Sequence, residues 1–305
     1  MTTAAGPVPV EEIPEARRAT GRRQPIKGRI VRSLGAGILS VFVLLIGMLW
    51  VIPTFGLLVA SFRGQTDNSA TGWWNAIAHP SQLTAENYIN IFQNANIITS
   101  LWNTVLITAP ATVLVVVIGA LAAYALAWID FDGRDWMFIV IVALIIVPVQ
   151  LAIIPDAKIY SALGIYGSVA CVVLFHVAFG LPFAVFLLRN FFLQIPQDLL
   201  EAARVDGAGE LTIFRKVVLP IGWPAIASLA IYQFMWVWND LLVALVFASP
   251  DNAPITYALF SQTRTFSTNL DILAPGAFLS MVVPLAVFFA FQKYFVQGVL
   301  AGSVR

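Results

Sequence analysis

Charge is scarce in this chain: Asp, Glu, Lys and Arg make up 11% of its 305 residues. A soluble domain carries about 25%, so lipid rather than water is the expected solvent. Cysteine is nearly absent. The single Cys171 rules out an intramolecular disulfide framework and a cysteine-rich metal site, and it reads as a small buried hydrophobe. No GxxxxGK[ST] occurs, nor even the dipeptide Gly-Lys, so no phosphate-cradling P-loop is present. GxSxG, HExxH and CxxC are missing as well. The two histidines, His79 and His176, are far apart in sequence, and His176 reads as a hydrogen-bonded interior residue before a proton carrier. No catalytic residues, metal site or cofactor site is expected in this chain. No period of 20–50 residues marks a repeat array.

What the chain has in abundance is apolar length. Hydrophobic residues make up 59%, and the mean hydropathy is +0.85. Six runs, near 35–60, 101–128, 136–156, 167–189, 222–248 and 275–297, are long enough to cross about 30 Å of hydrocarbon as helices. The expected fold is all-α and polytopic, with six transmembrane helices. The first run is too long for a signal-peptide core, and Pro53-Thr54-Phe55 is unlike a small-residue cleavage site. Pro110 predicts a kink in the second span and not a loop.

Basic residues set the orientation. Arg17, Arg18, Arg22, Arg23, Lys27, Arg29 and Arg32 precede the first span. Placing them in the cytoplasm leaves only Arg63, Lys158 and Arg264 outside, against fourteen inside. Both termini are therefore expected in the cytoplasm of a multi-pass membrane protein. Residues 1–34 form a basic arm with no apolar period, expected to be disordered and held to anionic lipid; nucleic acid is the weaker partner for it. Two segments outside, 61–100 and 249–274, are long. In the first, Trp73, Trp74 and Tyr88, with Trp102 at its end, read as interfacial anchors or as ligand contacts.

The most informative stretch is the hydrophilic break at 190–220, on the predicted cytoplasmic side. Pro196 suits the first turn of a helix, and Asp198 and Glu201 suit its positive end. Gly207 sits where a left-handed C-terminal cap is needed. A second amphipathic stretch follows from Glu210 to Leu219, with Arg215 and Lys216 near its end and Pro220 predicted to stop it. Two short helices with their own caps, joined at an elbow, make a rigid lever.

Glu201-Ala202-Ala203, then three residues, Gly207, nine residues, and Val217-Val218-Leu219-Pro220 resemble the cytoplasmic EAA loop of ABC importer permeases. Val217 stands where that pattern has Ile. Arg189-Asn190-Phe191-Phe192, Ile195-Pro196, Asp206-Gly207-Ala208, Trp238-Asn239-Asp240, Tyr294-Phe295-Val296-Gln297-Gly298 and Ala301-Gly302 are similar to the carbohydrate-importer branch. Within it, the chain is similar to the smaller permease subunit of maltose-type importers. Leu57-Leu58-Val59-Ala60-Ser61-Phe62-Arg63 followed by Gly72-Trp73-Trp74 resembles the α-glucoside permeases within it. The likeness covers roughly 35–305.

That resemblance implies a place in a bacterial cytoplasmic membrane, a type I ABC importer permease fold and a mechanical role. A dimer of separate ATP-binding subunits, which hold the ATP and Mg, would dock on 196–220. A second homologous permease and an extracytoplasmic solute-binding protein would complete the assembly in the bilayer. The implied coupling residues are Glu201, Ala202, Ala203, Asp206, Gly207, Val217, Leu219 and Pro220. For the substrate path, Asn239 and Asp240 inside the fifth span, with Tyr232, Gln233, Trp236, Trp238 and Gln150, offer hydrogen-bonding groups and aromatic faces suited to a neutral sugar. The same polar pair could instead bond neighbouring helices. A stand-alone secondary transporter or channel is the alternative, but ionisable groups are few in the spans and the halves show no repeated broken-helix pattern.

Overall fold

The computed structural model describes residues 26–265 and 270–301. Residues 26–34 of the basic arm, expected to be disordered, are the first turns of a helix; the expectations for residues 1–25, for the Arg264 side chain and for the 294–302 tail motif fall on residues or side chains outside that description. In chain order the helices are α1 (Ile26–Ser61), α2 (Gln65–Ala70), α3 (Asn75–Ala78), α4 (Glu86–Gln93) and α5 (Ala95–Trp128). They continue with α6 (Arg134–Leu144), α7 (Val149–Ala162), α8 (Val169–Phe192), α9 (Gln197–Val205) and α10 (Glu210–Ile213). The last are α11 (Leu219–Trp238), α12 (Leu242–Phe247), α13 (Ile255–Thr265) and α14 (Leu270–Ala301). The described residues contain no β-strand.

Two compact units are distinguished, the first ending at Thr54 and the second running from Phe55 onward. Within the first, the large apolar side chains from Leu39 to Ile52 are exposed, as a lipid-solvated helix requires.

In the second unit the core is the α5–α8 pair, with α11 packed on both and α14 on α11. Lipid offers no hydrophobic drive for helix association, so close backbone approach must supply the contact. Small residues allow it. Helix α5 buries Ala111, Gly119, Ala120, Ala123 and Ala127, and a Cβ at Gly119 would lie 2.8 Å from the Ala184 Cβ of α8. Gly180 of α8 gives way in the same manner to Gln233 of α11 and Val115 of α5.

Helix α5 runs unbroken through Pro110 and starts at Ala95, where the Asn94 side chain accepts from the N–H groups of Asn96 and Ile97. Two span expectations need correction. The third, 136–156, is not one helix: α6 and α7 meet at 101°. Pro148 precedes α7 with φ −64° and ψ 131°; it cannot donate to the turn before it and it pushes Val147 away from helical geometry. The fifth, 222–248, ends at Trp238, and a break at Asn239–Leu241 separates it from the short α12. Among the described residues, five helices are long and apolar enough to cross a membrane, with the α6–α7 pair as a sixth, bent candidate.

Residues 61–100 fold around Arg63, which is fully buried. Its guanidinium donates to the Asp67 and Thr71 carbonyls, the Thr71 hydroxyl and the amide oxygens of Asn68 and Gln82. Asn87 donates to the Ser61 and Arg63 carbonyls. Trp73 packs edge-on against Phe55, and the Tyr88 hydroxyl pairs with that of Ser61, so these two aromatics are structural here. Trp74 and Trp102 remain exposed, as interfacial anchoring requires. Buried Cys171 donates weakly to the Phe247 carbonyl at 3.2 Å.

Replacing Gly119 by Leu would drive methyl groups into Ala184. A loss of about 1–3 kcal/mol is expected, seen as a lower Tm and reduced monodisperse yield in detergent. Val117→Leu on the exposed side of the same helix should leave both unchanged.

Candidate coupling site and substrate cleft

The 196–220 segment is built as two arms around an elbow. Pro196 is the residue before α9 and not its first; its ψ of 128° turns the chain into the helix, and Asp198 lies in the first turn. The amphipathic register of α9 buries Leu200 completely and leaves Leu199, Glu201, Ala202 and Val205 exposed. Ile195, Ile213, Phe214 and Val218 join Leu200 in the main core. The helix closes with Gly207 at φ +81°. The Gly207 N–H reaches the Arg204 carbonyl and the Ala208 N–H reaches the Ala203 carbonyl, both at 3.0 Å, which satisfies two otherwise orphaned acceptors. A side chain at Gly207 would cost about 1 kcal/mol.

The second arm differs from the expectation. Pro220 does not stop the helix. From Gly209, α10 passes through a π turn at Phe214–Val218 directly into α11, which already includes Pro220. A proline lacks the N–H that the Lys216 carbonyl would use, and its ring crowds that carbonyl; widening the preceding turn relieves both. The second arm is thus the end of the fifth span, continuous over Glu210–Trp238.

Of the expected coupling residues, Glu201, Ala202, Asp206, Gly207 and Pro220 are exposed, while Ala203, Val217 and Leu219 are half-buried against the core. The Gln197 amide donates to the Glu201 carboxylate at 2.6 Å. Apolar surface crowds the elbow: Val205 is 87% exposed and Leu211 63%. Bare apolar side chains on a rigid, polar-rimmed element are what a docking surface presents.

Three residues that sequence reasoning passed over hold the elbow. Arg204 Nε donates to Glu210 Oε1 at 2.9 Å and its Nη2 to the Trp128 carbonyl at 3.1 Å. The Tyr124 hydroxyl donates to the other Glu210 oxygen. The Glu210 hydrogen bond holds the Arg204 guanidinium above its ordinary pKa. No residue pattern announces this contact, because Tyr124 and Glu210 are 86 residues apart.

The residues proposed for a substrate path divide. Tyr232, Trp236, Asn239 and Asp240 line one cleft of about 500 Å³ with Met235, Leu241 and Leu242. Gln233 and Trp238 do not reach it. Gln233 is buried beside Gly180 and Val115, and Trp238 donates to the Ser280 carbonyl of α14 at 3.0 Å. Gln150 is exposed in the first turn of α7 and is not part of that cleft. Asp240 lies in the break after α11: its carboxylate accepts from the Val243 and Ala244 N–H groups at 3.0 and 3.2 Å and stands 3.8 Å from His176 Nε2. Its first role is therefore to start α12.

These features define a polytopic helical membrane protein with a rigid elbow on one end and a mixed polar–aromatic cleft in its bundle. The chain belongs to the family of binding-protein-dependent transport system inner membrane components, whose profile matches residues 22–301. It is 44% identical over 272 residues to the osmoprotective compounds uptake permease protein GgtD of Synechocystis sp., covering 88% of this chain and 91% of that one. It is 44% identical over 233 residues to the alpha-glucoside transport system permease protein AglG of Rhizobium meliloti, covering 74% of this chain and 61% of the relative. A crystal structure of a bacterial ABC transporter involved in import of the polysaccharide alginate shares the fold. It has a TM-score of 0.67 at 21% identity and covers 89% of this chain and 98% of that one.

The two faces of α9 should respond oppositely to truncation. Leu200→Ala empties a fully buried site and is expected to cost about 2–5 kcal/mol, measured as a fall in Tm. Val205→Ser removes only exposed surface and should stay within about 0.5 kcal/mol of the parent.

Proposed function

We propose that this chain is one permease subunit of an ATP-driven sugar importer, with an α-glucoside, disaccharide or small oligosaccharide as cargo. The observation that carries the reading is the elbow: exposed Val205 and Leu211 over a heel of buried Leu200, Ile213 and Phe214. A surface that is apolar outside and anchored inside accepts force without deforming. A dimer of ATP-binding subunits, which carry the ATP and Mg, would seat the elbow in grooves and swing α11 as the dimer closes. The elbow and both termini then face the cytoplasm, in keeping with the distribution of basic residues. A second homologous permease and an extracytoplasmic binding protein complete the assembly.

The cleft supports a neutral sugar as cargo. Trp236 and Tyr232 offer aromatic faces for the apolar side of a pyranose, and Asn239 and Asp240 offer acceptors and a donor for its hydroxyls. The relative named for alpha-glucoside transport favours that class. The relative named for uptake of osmoprotective compounds favours a small osmoprotective solute as the second reading.

The test is uptake by proteoliposomes holding this chain with its partner subunits, against a panel of labelled α-glucosides, disaccharides and glucosylated polyols. Uptake should require ATP and the binding protein, and should be lost in Glu201→Ala and Gly207→Pro with the subunits still assembled. Uptake driven by an ion gradient with this chain alone, or full activity of both variants, would contradict the reading. Asp240→Asn keeps an acceptor for the α12 N–H groups, so the fold should hold. If the carboxylate meets the cargo, losing a charged hydrogen bond worth about 1.5–3 kcal/mol should raise the KM for uptake about tenfold or more, whereas an unchanged KM and specificity would leave Asp240 a purely structural residue.

A further inference from the structure

The elbow is tied to a span other than the one it continues into. Helix α5 ends at Trp128, and the last four carbonyls of any helix lack partners within it. Two arginines from elsewhere in the fold each meet one of those of α5. Arg189 Nε at the end of α8 donates to the Leu126 carbonyl at 3.0 Å, and its guanidinium lies 4.0 Å from the Phe138 ring centroid of α6. Arg204 Nη2, from the last turn of α9, donates to the Trp128 carbonyl at 3.1 Å. A cation at a helix C-terminus is favoured by the axial dipole as well as by the hydrogen bond.

Glu210 makes Arg204 more than a cap. Its carboxylate accepts from Arg204 at 2.9 and 3.4 Å and from the Tyr124 hydroxyl, one helical turn before Trp128. The Tyr124 ring is nearly fully buried and packs 5.3 Å from the Phe214 ring in the π turn. The carboxylate therefore stands between α9 and α5 while being fixed to the first residue of α10. Charge-assisted bonds to both sides, with one partner buried, hold geometry better than an exposed ion pair would.

We propose that Tyr124, Glu210 and Arg204 form a clamp that joins the elbow to the end of α5, so that a push on the elbow moves α5 and α11 as one body. These are positioning residues for coupling; none needs to touch ATP or cargo. The proposal rests on the reading of 196–220 as the surface that an ATPase subunit drives, and it adds which span receives the push. Without the clamp the elbow would pivot on the π turn, and only α11 would follow.

The test uses the assembled importer with spin labels at Asp130→Cys and Thr212→Cys, both exposed positions, leaving buried Cys171 in place. The native clamp should give one narrow label–label distance, the same in nucleotide-free and ATP-trapped complexes. Glu210→Gln and the conservative Tyr124→Phe should broaden it, and cargo moved per ATP hydrolysed should fall about fivefold or more with the ATPase subunits still bound. A native distance that shifts between nucleotide states overturns the proposal. So does a narrow distance and an unchanged coupling ratio in Glu210→Gln, or loss of the ATPase subunits from both variants, which would make the residues part of the docking surface. An assembly that consumes ATP without moving any cargo even with the native residues would instead refute the importer reading, and the distance measurement would still report on the clamp.

Discussion

Everything proposed for this protein depends on one continuous hydrogen-bonded path, the helix that runs from Glu210 to Trp238. A proline in the interior of an α-helix normally removes a bond and bends the axis. Here the π turn at Phe214–Val218 absorbs Pro220 before the strain reaches the span. The second arm of the elbow is therefore the exposed end of that helix, so a displacement at Leu211 has a rigid path into the bundle, and Val205, on α9, is tied to it through the Arg204–Glu210 bond.

A rigid lever needs a bundle that can receive its motion without coming apart. The small-residue contact between α5 and α8 meets that need, because packing by close backbone approach leaves little slack for side chains to absorb movement. Polar groups add fixed points along the same bundle: Asn103 donates to the Asp251 and Ala253 carbonyls, and Trp238 reaches α14. The breaks in the spans also have local causes. Pro148 bends the α6–α7 pair, and the Asp240 carboxylate starts α12 after the fifth span has stopped.

Much of this was legible in the residues, and the boundary of legibility is physical. Apolar length located the spans, because crossing a membrane needs a run that nothing else requires. Gly207 declared its own left-handed backbone, and the EAA spacing named the family. Pro220 misled, since a local rule that prolines end helices has no term for a π turn that spares them. For Asp240 the sequence offered a cargo contact or a structural bond, and only the fold shows its carboxylate accepting from the Val243 and Ala244 N–H groups while it lines the cleft. The Tyr124–Glu210–Arg204 contact was invisible, because it joins residues brought together only by the packing of α5 against the elbow. Arg63 counted only as one of the basic residues left outside, and no residue pattern announced its buried hydrogen bonds to neutral oxygens.

The most direct test of the central claim is to place a photo-crosslinking side chain at Val205 in the assembled transporter and identify what it captures. The account predicts a covalent adduct with the ATP-binding subunit, formed in both nucleotide-free and ATP-trapped states. Adducts only with lipid, with the other permease or with the extracytoplasmic binding protein would contradict it.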